Sequence, residues 1–148
     1  MSLKDLPTLP LDTPGCALDF SLTEFAIPVV SARFVSLCQE LGVQDDVQFI
    51  PARVACHMEP YFILNALRVI RCIDETRSEE VTFWEPRHGE PGRVGHYRSV
   101  AGMKIDVSKV EDAHIFRPWG WTNSLLVSEH VKVALEREKL TGPRFTEV

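Results

Sequence analysis

Several residues are of types that do chemistry when they converge. Cys56, His57 and Glu59 supply a thiol nucleophile, a base and a carboxylate to orient it within four positions. Neighbours on an extended chain point to opposite faces, so Cys56 and His57 do not meet; the spacing reads as a buried thiol beside a turn histidine. His88, His96 and His114 lack both the i, i+4 helical partner and the HExxH spacing of a zinc site, so no metal is expected. Gly89, Gly92 and Gly95 suggest a phosphate loop, but no Gly-Lys-Ser/Thr follows and no helix starts after them. No cofactor is expected. Asp74 opens the polar run Asp-Glu-Thr-Arg-Ser, where an aspartate accepts backbone amides to close its own turn.

Other residues suit recognition better than catalysis. Arg87, Arg93 and Arg98 fall in residues 85–98, EPRHGEPGRVGHYR, an exposed, mobile loop by composition, and their forked donors could grip an acidic surface. Trp119 and Trp121 flank Gly120 at period two, so on an extended chain their rings share a side. They either cap the core or form part of a binding surface, where tryptophan is enriched. Acidic pairs at Asp45-Asp46, Glu79-Glu80 and Glu111-Asp112 suit a basic partner. The tryptophan loop is the expected anchor, and the acidic residues the rim.

The totals narrow the class. A chain of 148 residues suits one domain and buries roughly two-thirds of its unfolded surface. Hydrophobic residues are 45% and charged residues 25%, an ordinary globular balance. A net charge of −5 argues against a general nucleic-acid binder, which needs a basic face. Cys16, Cys38, Cys56 and Cys72 are too widely spaced for a CxxC pair and read as reduced, mostly buried thiols. No apolar run has the length of a membrane span and residues 1–11 lack the pattern of a signal peptide, so the expected compartment is the cytoplasm.

The elements that would position these residues are organised around residues 61–78, YFILNALRVIRCIDETRS. Both faces are apolar at first and half-polar from Arg68 onward, the pattern of a covered central strand with a bend near residues 68–72. Ahead of it come a proline-punctuated extended arm over residues 1–25 and a short strand limited by Pro28 to an edge or an end. Then comes a helix capped by Ser31 and stopped by Gly42, with Phe34, Leu37, Cys38 and Leu41 on one face. Residues 47–54 read as a strand with a bulge or edge at Pro51. After the centre, residues 81–84 read as a partner strand. Met103, Ile105 and Val107 read as a half-buried alternating strand, and residues 110–117 as another. Ser128 caps a last helix, EHVKVALEREKL, stopped at Gly142, and residues 143–148 close the chain as a strand with Phe145 inward. The two capped helices share a plan of apolar pair, serine, helix, glycine and strand, as a pseudo-symmetric pair on one sheet would. The expected fold is a single α+β domain over residues 1–148, a mostly antiparallel sheet with two N-capped helices packed on it.

Taken together, VVSARFVSLCQELG, VQFIPARV, YFILNALRVIRCIDETRS, IFR and LLVSEHVKVALEREKLTGPRFTEV resemble the immunity protein 11 family of bacterial polymorphic toxin systems. The resemblance covers residues 27–84 and 100–148. Its most specific pieces are Ile73-Asp74 with Ser78, Ile115-Phe116-Arg117, and Leu126-Val127-Ser128 with Leu140-Thr141-Gly142. It implies a non-catalytic protein that binds and neutralises a cognate toxin, with no nucleic-acid or membrane partner. The rival readings are a small cytoplasmic hydrolase or transferase using His57 or Asp74, and a scaffold without a toxin partner.

Overall fold

The computed structural model describes residues 8–9, 18–22, 27–54 and 60–148. The Cys56, His57 and Glu59 group, Cys16 and the remainder of the expected arm lie outside the described residues. In chain order the first elements are β1 (Thr8–Leu9), β2 (Phe20–Leu22), β3 (Pro28–Ser31), α1 (Ala32–Leu41), β4 (Val47–Val54) and β5 (Tyr61–Ala66). They are followed by β6 (Val69–Ile70), β7 (Glu80–Phe83), β8 (Tyr97–Ala101), β9 (Ile115–Pro118), β10 (Leu126–Val127) and α2 (Glu129–Arg137). The architecture is α+β and mostly antiparallel. The strands divide among three sheets, ordered β1-β4-β5-β3-β2, β10-β9-β6 and β7-β8.

β5 is the middle strand of the largest sheet, as its two apolar faces require. It pairs antiparallel with β4 from Val47↔Ala66 to Ala52↔Tyr61, and with β3 from Val29↔Ile63 to Ser31↔Tyr61. Pro28 is the first residue of β3, the position a residue without an N–H tolerates. The long strand expected over residues 61–78 breaks at residues 67–68. Leu67 N donates to Asp46 O, and after Arg68 the chain pairs parallel with β9 as β6, in a different sheet. The half-polar character from Arg68 onward marks that change of sheet.

Both serine caps are present. Ser31 Oγ accepts from Phe34 N and Ser128 Oγ from Val131 N, which satisfies amides that the first helical turn leaves open. Gly42 ends α1 at φ 72. Phe34, Leu37 and Cys38 of α1 and Val131, Ala134 and Leu135 of α2 all enter one buried cluster with Val30, Leu64 and Ile115. A second cluster gathers Cys72, Val110, Ala113, Phe116 and Leu126. Neighbours on a strand face opposite ways, so β9 joins the two cores, Ile115 entering one and Phe116 the other.

Several local expectations are corrected. The helical pairs do not share one sheet: β3 leads into α1 from the largest sheet, and β10 leads into α2 from another. α2 ends at Arg137 rather than near Gly142, because Lys139 takes the left-handed conformation (φ 54) and Leu140 N donates back to Leu135 O. Met103–Val107 is not a strand. Ile105 makes one bridge to Ile73, and Val107 is 72% exposed at the start of a 3-10 turn. The strand expected over residues 110–117 begins only at Ile115. Residues 143–148 form no strand, and Phe145 is 36% exposed. The partner of β7 is β8, in a separate two-stranded ribbon.

Candidate functional site

The connection between β7 and β8 is exposed, yet it is built of two 3-10 turns, Pro86–His88 and Pro91–Arg93, each opened by a proline. Proline suits a first helical position, where an N–H would have no partner. The loop expected over residues 85–98 therefore ends sooner, with Tyr97 and Arg98 in β8. The ribbon register runs Thr82↔Ser99 and then Phe83↔Tyr97, so Arg98 is the extra residue of a bulge. A bulge re-aims the side chain it carries. The Arg98 guanidinium lies 5.5 Å from the centre of the Trp84 ring, and that of Arg93 lies 5.3 Å from it. His88 meets the same indole edge-on at 5.7 Å.

A second unit stands beside the first. Trp119 follows β9, and its N donates to Ile70 O at 2.7 Å. The Arg71 guanidinium sits 4.7 Å from its ring centre, and His96 meets it edge-on at 4.9 Å. Trp84 N donates to His96 O at 2.9 Å, so His96 links the two indoles, through its backbone on one side and its ring on the other. Tyr97 holds the ribbon to the body. It is 3% exposed, its N donates to Gly120 O at 3.2 Å and its hydroxyl donates to Glu75 Oε1 at 2.8 Å. Burial, then the Glu75 carboxylate, push its phenol up to about 12. Gly120 has φ 82, and a Cβ there would lie 2.8 Å from Tyr97 Cδ2, so only glycine lets the tryptophan turn approach this closely. The same φ removes the extended geometry that would align Trp119 with Trp121.

The other expected contact residues are dispersed. Trp121 is half-buried, and Arg87 is paired with Glu85 at 2.5 Å. Asp46 is not available to a rim. It is 7% exposed, and its carboxylate accepts from His114 N (2.8 Å) and Ile115 N (3.3 Å) and faces Arg68 at 3.6 Å. Asp112 is exposed and bound to Arg68 at 2.9 Å, a hydrogen bond that holds its carboxyl below the usual range. Asp45, Glu79, Glu80 and Glu111 are exposed. Asp74 accepts from Thr76 N and Arg77 N, both at 3.1 Å, the turn role its position suggests. Cys38 and Cys72 are buried, and burial raises the Cys38 thiol to about 12.

A cavity of about 300 Å³ between the C-terminal segment and the sheets is walled mainly by apolar groups such as Phe20, Leu22, Leu126 and Phe145. Arg117 at its edge donates to the carbonyls of Thr122 and Ser124. Among the described residues no three His, Cys, Asp or Glu side chains gather as a metal site would require, and no helix is long and apolar enough to cross a membrane. Arg71, Trp84 and His96 escape a reading of the sequence alone. Arg71 reads as part of the central strand, Trp84 as a strand end and His96 as a failed zinc ligand; no local signal announces the contacts between separate segments that bring them together.

Fold and surface define a small α+β protein with a face on which three arginine guanidinium groups lie over two indoles. Residues 9–148 match the immunity protein family (Imm11), and the chain belongs to that family. Membership implies a toxin as the partner in general. Comparison with curated proteins finds no match.

Proposed function

We infer that this chain is a non-catalytic immunity protein of a bacterial polymorphic toxin system, acting in the cytoplasm, which binds a cognate toxin and neutralises it by covering it. The observation that carries this reading is the family match across residues 9–148. The surface geometry supports it. The indoles of Trp84, next to the β7–β8 ribbon, and Trp119, just after β9, are half-buried with guanidinium groups over them. Such anchors dominate interfaces, where a few aromatic and arginine side chains supply most of the affinity. The proposed contact surface centres on Trp119 with Arg93 and Arg98, with Trp121 on the same turn and the acids Asp45, Glu79, Glu80, Glu111 and Asp112 as its rim. The Asp74 carboxylate is occupied by its own turn, which leaves the hydrolase reading without a positioned base there.

The test is co-expression with the toxin encoded by the neighbouring reading frame, followed by capture of the complex. The wild-type chain should protect the cell and retain the toxin. The folded Trp119→Ala/Trp121→Ala variant should bind it about 30-fold more weakly, the size of one hot-spot loss. Undiminished capture by the double variant would remove the tryptophan turn from the interface. A neighbouring toxin that the wild-type chain neither binds nor blocks would overturn the immunity reading.

A further inference from the structure

We propose that the two arginine–indole stacks form one receptor for an acidic segment of the partner protein, with carboxylates as the ligand groups. The inference rests on the toxin-binding reading and gives its partner a chemistry. In a chain of net charge −5, Arg71, Arg93 and Arg98 have no carboxylate within ion-pair distance among the described residues. Their contacts are with rings, at 4.7, 5.3 and 5.5 Å. A guanidinium stacked on an aromatic face is oriented without its N–H groups being used. It presents a fixed donor edge that matches the two oxygens of a carboxylate.

Of the acids close by in sequence, Glu85 is paired with Arg87, and among the described residues neither Glu75 nor Glu90 forms an ion pair with Arg71, Arg93 or Arg98. The bulge at Arg98 aims its side chain over Trp84 instead of leaving it in the ladder, and His96 holds Trp84 and Trp119 together. Single-stranded nucleic acid would require open indole faces for base stacking. Here each indole already has a guanidinium over it, two at Trp84 and one at Trp119, so a base stacking on that side would have to displace a cation. Carboxylates on a protein segment fit what is left exposed.

The experiment titrates the full chain at low ionic strength with a short peptide of alternating Asp and Glu, read by intrinsic tryptophan fluorescence. A lysine peptide and a single-stranded oligodeoxynucleotide of matched charge are titrated in parallel. The acidic peptide should give a saturable change. Arg93→Gln/Arg98→Gln should weaken it at least about tenfold, as loss of charge-assisted hydrogen bonds predicts. Arg98→Lys should lose most of the same affinity despite keeping the charge, because the fork is gone. Arg53→Gln, at an exposed position in β4, should change nothing. No saturable signal from folded wild-type protein overturns the proposal. So does equal weakening by Arg53→Gln, which would mean diffuse attraction, or tighter binding of the oligonucleotide. The toxin assay separates the two readings. Equal capture of the toxin by Arg93→Gln/Arg98→Gln would sink the acidic receptor and leave immunity standing. Failure of wild-type capture would sink immunity, while the peptide titration still decides the chemistry of this face.

Discussion

Asp19 gathers distant parts of the chain around one carboxylate. Its Oδ1 accepts from the Ser31 hydroxyl at 2.7 Å, and its Oδ2 accepts from Thr141 N at 2.9 Å and faces Arg33 at 3.5 Å. Burial alone would raise its pKa, but the Thr141 amide, the two hydroxyls and Arg33 outweigh burial and hold the carboxyl below its usual range. A depressed folded-state pKa means stability that is complete above the unfolded value of about 4 and is lost as pH falls through the folded one. Asp19→Asn should therefore cost on the order of 2 kcal/mol at neutral pH, the scale of hydrogen bonds to a charged group. It should also flatten the acid limb of the stability curve. Urea melts at pH 7 and below pH 4 check both; a variant with wild-type stability at pH 7, or one that keeps the full acid dependence, contradicts the assignment. The serine that Asp19 supports was legible because a cap is written in a few consecutive residues. Asp19 itself was not, since Thr141 lies 122 positions away. Asp46 was misjudged for the same reason, with its amide donor His114 at a separation of 68.

Element boundaries show where local signals compete. α1 follows its code from Ser31 to Gly42, but at the end of α2 the glycine has another task. Thr141 O accepts from Phe20 N at 3.0 Å, and the C-terminal segment passes so close to β2 that a Cβ on Gly142 would lie 1.9 Å from Phe20 O. The φ of 103 is also strained for any other residue. A helix-stop glycine and a close-approach glycine look alike in a sequence, which is why α2 was expected to run on. Gly142→Ala should lower stability by about 1–3 kcal/mol. Gly92→Ala, where nothing lies within 4 Å and φ is not positive, should be neutral or slightly stabilising. Thermal melts of the two variants provide the comparison, and equal effects would refute the contact with β2. The break between β5 and β6 has a similar origin. Periodicity recorded the loss of an apolar face after Leu67, but the transfer to β9 is fixed by parallel pairing with residues nearly fifty positions on.

At the scale of the whole molecule, the candidate binding face belongs to the part least integrated with the rest. Among the described residues β7 and β8 pair only with each other, whereas β5 has partners on both sides and β9 joins two buried clusters. A lone two-stranded ribbon is marginal in water, so its order depends on its attachments. These include Tyr97 N to Gly120 O, the Tyr97 hydroxyl to Glu75, and the His96 ring edge-on to Trp119 at 4.9 Å. Composition marked this region as unlike the core, and that much was legible; its turns and its anchoring through a buried tyrosine required contacts between separate segments. Regions with few buried attachments open locally at a free energy below that of global unfolding. Native-state hydrogen exchange should therefore show amides of β7 and β8 exchanging through a smaller opening free energy than those of β5 and β9. Tyr97→Phe removes one hydrogen bond to a carboxylate, worth about 1 kcal/mol at this partly solvated site, so ribbon exchange should accelerate roughly fivefold. The amides of β5 should be unaffected in the same sample. Uniform protection across all four strands, or equal acceleration everywhere in the variant, would mean that the ribbon unfolds with the body. In that case the arginine–indole face would be a rigid extension of the core, already set in its binding geometry before the partner arrives.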